Sequence, residues 1–279
     1  MYSLRLDRTV TIFLGRPLVG MLNGHHGPRV PILMYHSVSE QSPDNRHPYY
    51  DTNTFPEIFS QHMKFLREHG FSSVDLATAL SYIHDGKRSE KYVVITFDDG
   101  FRDFATTAFP ILHENGFSAT VYLVTGLAGK QKDGRDCLDW NEVRRLYSQG
   151  IEFGSHTVTH PELIRLRPAE LDAEISHSKD VIEQELGARV QSFSYPYSFP
   201  EANREFGHLL RESLVKNGYD NGVSTIIGTA GKSADRYFLP RIPVNSGDDP
   251  AFFWAKLEGG YDWLYYFQYA SKWAKEQLS

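Results

Sequence analysis

From residue 30 to residue 242 the chain alternates short apolar runs with stretches of helical periodicity, and few folds accept that order. Strand-like runs are expected at residues 30–35, 92–97, 119–124, 151–154, 190–195, 219–224 and 237–242. Helical patterns fall between them. Residues 55–69 carry Phe59, Met63 and Leu66 at helical spacing. Asp75 is placed to cap a helix over 75–83, and Asp103 one over 103–115 that Gly116 closes. Further helices are expected at 141–148, 168–186 and 201–217, the first two closed by Gly150 and Gly187. Strands joined by crossover helices form a parallel sheet, open or closed into a barrel, with its chemistry at the C-terminal strand ends.

The chain has 279 residues, 41% of them hydrophobic, enough for one large domain. A central unit, 30–249, is flanked by an N-terminal extension, 1–29, and a tail, 250–279. The tail places Phe252, Phe253, Trp254, Leu257, Trp263, Leu264, Phe267 and Trp273 on apolar helical faces. Residues 9–22 are expected as a short amphipathic helix that packs on the domain, with contact to a membrane surface as the alternative. The apolar run at 10–14 is broken by Arg16 and Pro17 and preceded by Asp7, unlike a secretion signal. That favours a cytoplasmic location; the periplasm or cell surface fits a chain whose leader has been removed. No stretch approaches the ~20 apolar residues of a membrane span. A net charge of −6 argues against nucleic acid and anionic membranes as partners. Cys137 is the sole cysteine, which excludes an intrachain disulfide and a cysteine zinc site. The oligomeric state is left open.

Two segments carry chemistry. Thr96-Phe97-Asp98-Asp99-Gly100 ends an apolar strand with two adjacent carboxylates. Neighbouring aspartates repel at a strand end unless a positive charge sits there, and a divalent cation is the simplest such charge. One carboxylate then ligates while the other is free to move protons. Gly154-Ser155-His156-Thr157-Val158-Thr159-His160-Pro161 follows another strand and spaces two histidines four apart. Two neutral imidazoles and one carboxylate make a facial metal site with open positions.

These segments, in this order, resemble the first two motifs of the polysaccharide deacetylases, carbohydrate esterase family 4. Phe193-Ser194-Tyr195-Pro196-Tyr197 resembles the third. The resemblance implies an α/β fold, a distorted (β/α) barrel of about seven parallel strands, as a single domain with a helical C-terminal tail. It implies a metal-dependent N-deacetylase acting on a carbohydrate substrate. Asp98 would be the general base, Asp99, His156 and His160 the metal ligands, and the Tyr197 backbone N–H the oxyanion donor. Zn²⁺ is the leading metal, with Co²⁺, Ni²⁺ and Fe²⁺ as alternatives. Tyr195, Pro196, Trp140 and Asp139 are candidate substrate contacts.

The chain departs from the family pattern in three places. No Leu-x-x-His motif follows Tyr197 to supply a general acid. Instead Pro31-Ile32-Leu33-Met34-Tyr35-His36-Ser37 resembles the permuted subgroup that acts on exopolysaccharides such as poly-N-acetylglucosamine, which implies His36 as the acid. Ser194 stands where the third motif commonly has arginine; Arg241 either replaces it as a partner of Asp98 or forms a salt bridge elsewhere. Ser198 stands where glycine is frequent. The leading expectation is removal of N-acetyl groups from a sugar or polysaccharide. The alternatives are hydrolysis of a small or lipid-linked amide by the same fold, and a non-catalytic carbohydrate-binding protein.

Overall fold

A computed structural model of the chain describes residues 5–22, 27–41, 51–85 and 90–278. Seven parallel strands follow one another: β1 Ile32–Tyr35, β2 Lys91–Phe97, β3 Thr120–Leu123, β4 Glu152–Ser155, β5 Ser192–Ser194, β6 Asn221–Ile227 and β7 Leu239–Pro243. Each pairs with its sequence neighbours, and β1 pairs with both β2 and β7, so the sheet closes into a barrel. The distorted (β/α) barrel expected from the sequence is the fold observed. An eighth strand, Phe71–Ser73, lies against the first half of β2. Val94 N donates to Pro31 O at 3.0 Å, whereas Val93 O accepts from Val74 N at 3.0 Å. These are the two ends of one trans peptide group, which point to opposite edges of the strand, so the extra strand sits on the β3 side of β2.

Strand alternation sorts the side chains into two layers. Leu33, Tyr35, Val93, Ile95, Phe97, Val121, Phe153, Phe193 and Ile242 belong to the large cluster between barrel and helices. Ile32, Val94, Tyr122, Val223 and Leu239 form a separate cluster inside the barrel, closed below by Leu76, Ala79 and Ile83 of the helix Leu76–Asp85. The inward parity then runs up β2 through Thr96 to Asp98, up β7 from Leu239 to Arg241, and past β1 from Ile32 to His36. The alternation therefore delivers the site before any specific contact is formed.

The helix ends follow their caps. Asp75 Oδ1 accepts from Thr78 N at 2.6 Å. Gly116 and Gly187 close their helices with φ of 74° and 64°. Asp103 behaves differently from expectation: its side chain makes no cap bond to the helical turn that follows. Its carboxylate instead accepts from Ser37 Oγ and from Val38 N, tying the end of β1 to this loop.

The chain is helical through Leu6–Val10, Thr11–Gly15 and Arg16–Leu22. These turns pack on the helix Pro250–Leu257 and its successor, with Arg8 against Asp249, Arg16 against Glu258 and Trp263 Nε1 donating to Thr11 Oγ1. The last helix, Leu264–Leu278, is stitched to β6: Gln268 Nε2 donates to Thr225 O at 2.8 Å and Gln268 Oε1 accepts from Ile227 N at 3.0 Å. Among the described residues no helix is long and apolar enough to cross a membrane.

Candidate active site

Asp98 leaves β2 with its backbone N–H donating to Tyr35 O at 3.0 Å and its side chain on the barrel axis. Arg241 meets it from β7. Nη1 donates to Oδ1 at 2.8 Å and Nη2 to Oδ2 at 2.6 Å, a two-pronged pair inside the protein, with Arg241 0% and Asp98 2% exposed. The guanidinium also donates to Ser224 O, Thr96 Oγ1 and Ser194 Oγ. Ser194 Oγ donates in turn to Asp98 Oδ1 at 3.1 Å. Burial pushes the Asp98 pKa up, but Arg241 beside it, aided by His156, outweighs this and holds the carboxyl well below the usual range. The arginine missing from the third motif is thus replaced from β7, and Ser194 makes room for it.

Asp99 is one residue on and differently placed. Its φ of 71° turns the chain back, so its carboxylate reaches the mouth of the barrel and not the outer layer. Gly100, with φ 66°, follows; a Cβ there would lie 2.7 Å from Leu123 Cδ2, which accounts for the glycine. Thr157, His160 and Tyr197 also adopt left-handed backbone, at 71°, 59° and 58°. Such strain gathers where a fold holds side chains for work.

The two histidines converge on Asp99. His160 Nε2 and His156 Nε2 lie 3.3 and 3.8 Å from Asp99 Oδ1. One ligand atom from each residue fits within a 4.8 Å span. Asp99 Oδ1 is buried with no hydrogen-bond partner, an orphan acceptor facing two ring nitrogens. A divalent cation is the group that would satisfy all three atoms, so the donor set fits one. His156 Nδ1–H donates to Ser194 O at 2.8 Å, which fixes the tautomer and turns Nε2 toward Asp99. Burial, then His156, pushes the His160 pKa down to about 3, so its ring is neutral and fit to ligate at neutral pH. Asp99 is lifted by burial but held below the usual carboxylate range by His36, His156 and Lys132.

Two contributors escaped the sequence. On the charged helix Pro168–Leu186, Glu174 turns inward and grips the histidine loop. Its carboxylate accepts from Val158 N, Thr159 N and Thr159 Oγ1 at 2.8, 2.9 and 2.7 Å. Lys179 of the same helix is buried and donates to Val190 O. The second contributor is Lys132, whose Nζ donates to Asp99 Oδ2 at 2.8 Å from a two-stranded ribbon, Gln131–Lys132 against Arg135–Asp136. The dipeptide Asp133-Gly134, a favoured hairpin turn, was the available signal for that ribbon.

His36 lies at the end of β1, half-buried on the inward parity. Burial lowers its pKa, while Asp98 and Asp99 act on it in the opposite direction. Tyr197 is 55% exposed, and its ring packs edge-on against His160 at 4.5 Å. The proposed substrate contacts fare less well. Tyr195 has the parity of Phe193, so it points into the outer core, 2% exposed against Phe199 and Phe206. Asp139 is the N-cap of the helix Trp140–Ser148, its carboxylate accepting from Glu142 N in a capping box. Pro196 is buried, and Trp140 packs half-buried against the core.

The chain matches the sequence profile of the polysaccharide deacetylase family over residues 85–221. That span contains Asp98, Asp99, His156, His160 and Tyr197, but neither His36 nor Arg241. The Bacillus subtilis protein YxkH, whose name places it among the polysaccharide deacetylases, is 31% identical over 231 residues, 82% of this chain and 76% of YxkH. The poly-beta-1,6-N-acetyl-D-glucosamine N-deacetylase of Staphylococcus aureus strain MSSA476 is 24% identical, over 70% of this chain and 67% of its own. Among solved structures, the Streptococcus pyogenes deacetylase PplD superposes with a TM-score of 0.72 at 24% identity, covering 83% of this chain and 99% of PplD. IcaB from Ammonifex degensii gives 0.69 at 22%, covering 83% and 98%. The chain belongs to the polysaccharide deacetylase family and, with it, to the hydrolases of amide C–N bonds.

Proposed function

We propose that this enzyme removes N-acetyl groups from an N-acetylated sugar polymer, with Asp99, His156 and His160 holding a divalent cation, Zn²⁺ foremost. The observation that carries the reading is the orphan Asp99 Oδ1 facing two imidazole nitrogens beside a fully bonded, ionised Asp98. A cation bound there would polarise an amide carbonyl and acidify water. Asp98 is the proton acceptor. Arg241 keeps it in one orientation and lowers its basicity, which suits a proton donor that is already acidified. The Tyr197 backbone N–H is the proposed oxyanion donor. His36 hands a proton to the departing amine; burial lowers its pKa overall, and the carboxylates of Asp98 and Asp99 offset part of that lowering.

The named substrate of the Staphylococcus aureus relative supports a β-1,6-linked N-acetylglucosamine polymer as the substrate class. Exposed Tyr197 and Ser198 form the rim such a chain would touch. The central unit, 30–249, is proposed as the catalytic barrel, with the tail 250–279 packed upon it. The test is acetate release from an N-acetylglucosamine oligomer by purified protein loaded with Zn²⁺ or Co²⁺. Sustained release supports the reading. No release from protein shown to hold one cation per chain overturns it.

A further inference from the structure

We propose that Lys132 is a positioning residue for Asp99: it engages Oδ2 so that only Oδ1 is offered to the cation. The inference rests on the metal reading above. Lys132 is no free surface lysine. Asp133 and Gly134, with φ of 52° and 75°, form the tight turn that pairs Lys132 with Arg135. The ribbon is then clamped to the very loop that carries Asp99. Leu138 N donates to Gly100 O at 2.9 Å, Arg102 N donates to Asp136 O at 2.8 Å, and Cys137 bridges Phe101. The Lys132 side chain is 18% exposed and Asp99 6%, so the pair is little screened.

Two consequences follow. A carboxylate with one oxygen on an ammonium ligates through the other, which leaves a coordination position open for water and substrate. The ammonium also stands in as the positive charge on Asp99 when the cation is away, and it repels the cation when it arrives. Lys132 thereby trades cation affinity for an open, strongly polarising site.

Co²⁺ tests this, with three proteins: the wild type, Lys132→Met and Lys132→Arg. The visible absorption of bound Co²⁺ weakens as coordination number rises, so Lys132→Met, with Asp99 free to use both oxygens, is expected to lose intensity. Its Co²⁺ dissociation constant, measured against a chelator, is expected to fall about tenfold. Lys132→Arg keeps a charged donor and is expected to restore the wild-type spectrum. An unchanged spectrum and affinity in Lys132→Met, or Lys132→Arg behaving like it, overturns the proposal while leaving the metal reading intact. A wild type that binds no Co²⁺ overturns both. Thermal melts of the three separate a spectral change from misfolding, and a Lys132→Met protein that melts like the wild type with altered Co²⁺ absorption supports the proposal.

Discussion

Asp98 and Asp99 are adjacent in sequence, yet they sit in opposite kinds of environment. Around Asp98, at the floor, both oxygens are bonded, the arginine partner is itself saturated, and nothing is left over. Around Asp99, at the rim, one oxygen rests on Lys132 and the other is buried without a partner, while four nearby residues hold left-handed backbone. A closed ion-pair network stabilises the fold against losing either member. An unsatisfied carboxylate held in strained loops costs stability and waits for a ligand. On the proposed reading, the floor holds the proton acceptor in one orientation and the rim takes the cation.

That contrast can be broken most sharply at Arg241. Arg241→Met leaves Asp98 buried without its charged partner, with only Ser194 Oγ still donating to it, and unfolding free energy is expected to fall by about 3–5 kcal/mol in a urea titration. The pH dependence reverses as well. In the wild type Asp98 has a lowered pKa, so its contribution is present above the ordinary carboxylate value of 3.8 and is lost as pH falls below it. In the variant burial is opposed only by His156, His36 and the Ser194 hydroxyl, so the pKa is expected to rise above the ordinary value and stability to increase as pH drops toward it. A loss under about 1 kcal/mol with no reversal would show the floor is not the closed network described.

His36→Gln, also on the inward parity, is expected to lower kcat about a hundredfold while leaving cation affinity and melting temperature near wild type. A matching loss of cation would move His36 from the floor to the rim. Glu174→Gln loosens the histidine loop without touching a ligand. Cation affinity is expected to fall about tenfold, the scale of other outer partners of metal ligands. An unchanged affinity would mean the loop holds its shape unaided. The smallest effect is expected at Asp99→Asn in cation-free protein. Asp99 is paired through one oxygen only, with Lys132, so its removal should cost no more than about 1 kcal/mol. A clear destabilisation would contradict the contrast between the two residues.

Much of the floor was legible in the sequence, because strand parity alone orders it. The same two-residue period that buries Val94 and Leu239 inside the barrel aims Asp98 and Arg241 at each other. It also explains where sequence reasoning failed: Tyr195 lies in a motif, but its parity sends it outward into the core. The rim was less legible. Its motif residues stand out, yet the groups that hold them come from elsewhere. Glu174 looks like one more charge on a charged helix, and only tertiary packing turns it toward the histidine loop. Asp103 has the sequence position of a helix cap, but its carboxylate binds Ser37 just past β1, a contact across 66 residues of sequence. Lys132 depended on a hairpin announced only by Asp133-Gly134.

The most direct measurement compares Asp98→Asn with Asp99→Asn for bound Zn²⁺ per chain and for acetate release from an N-acetylglucosamine oligomer. The account predicts that Asp98→Asn keeps one Zn²⁺ and loses deacetylation, and that Asp99→Asn loses the Zn²⁺ and the activity together. Equal Zn²⁺ loss in both, or full activity in Asp98→Asn, would contradict the division of labour between the two carboxylates.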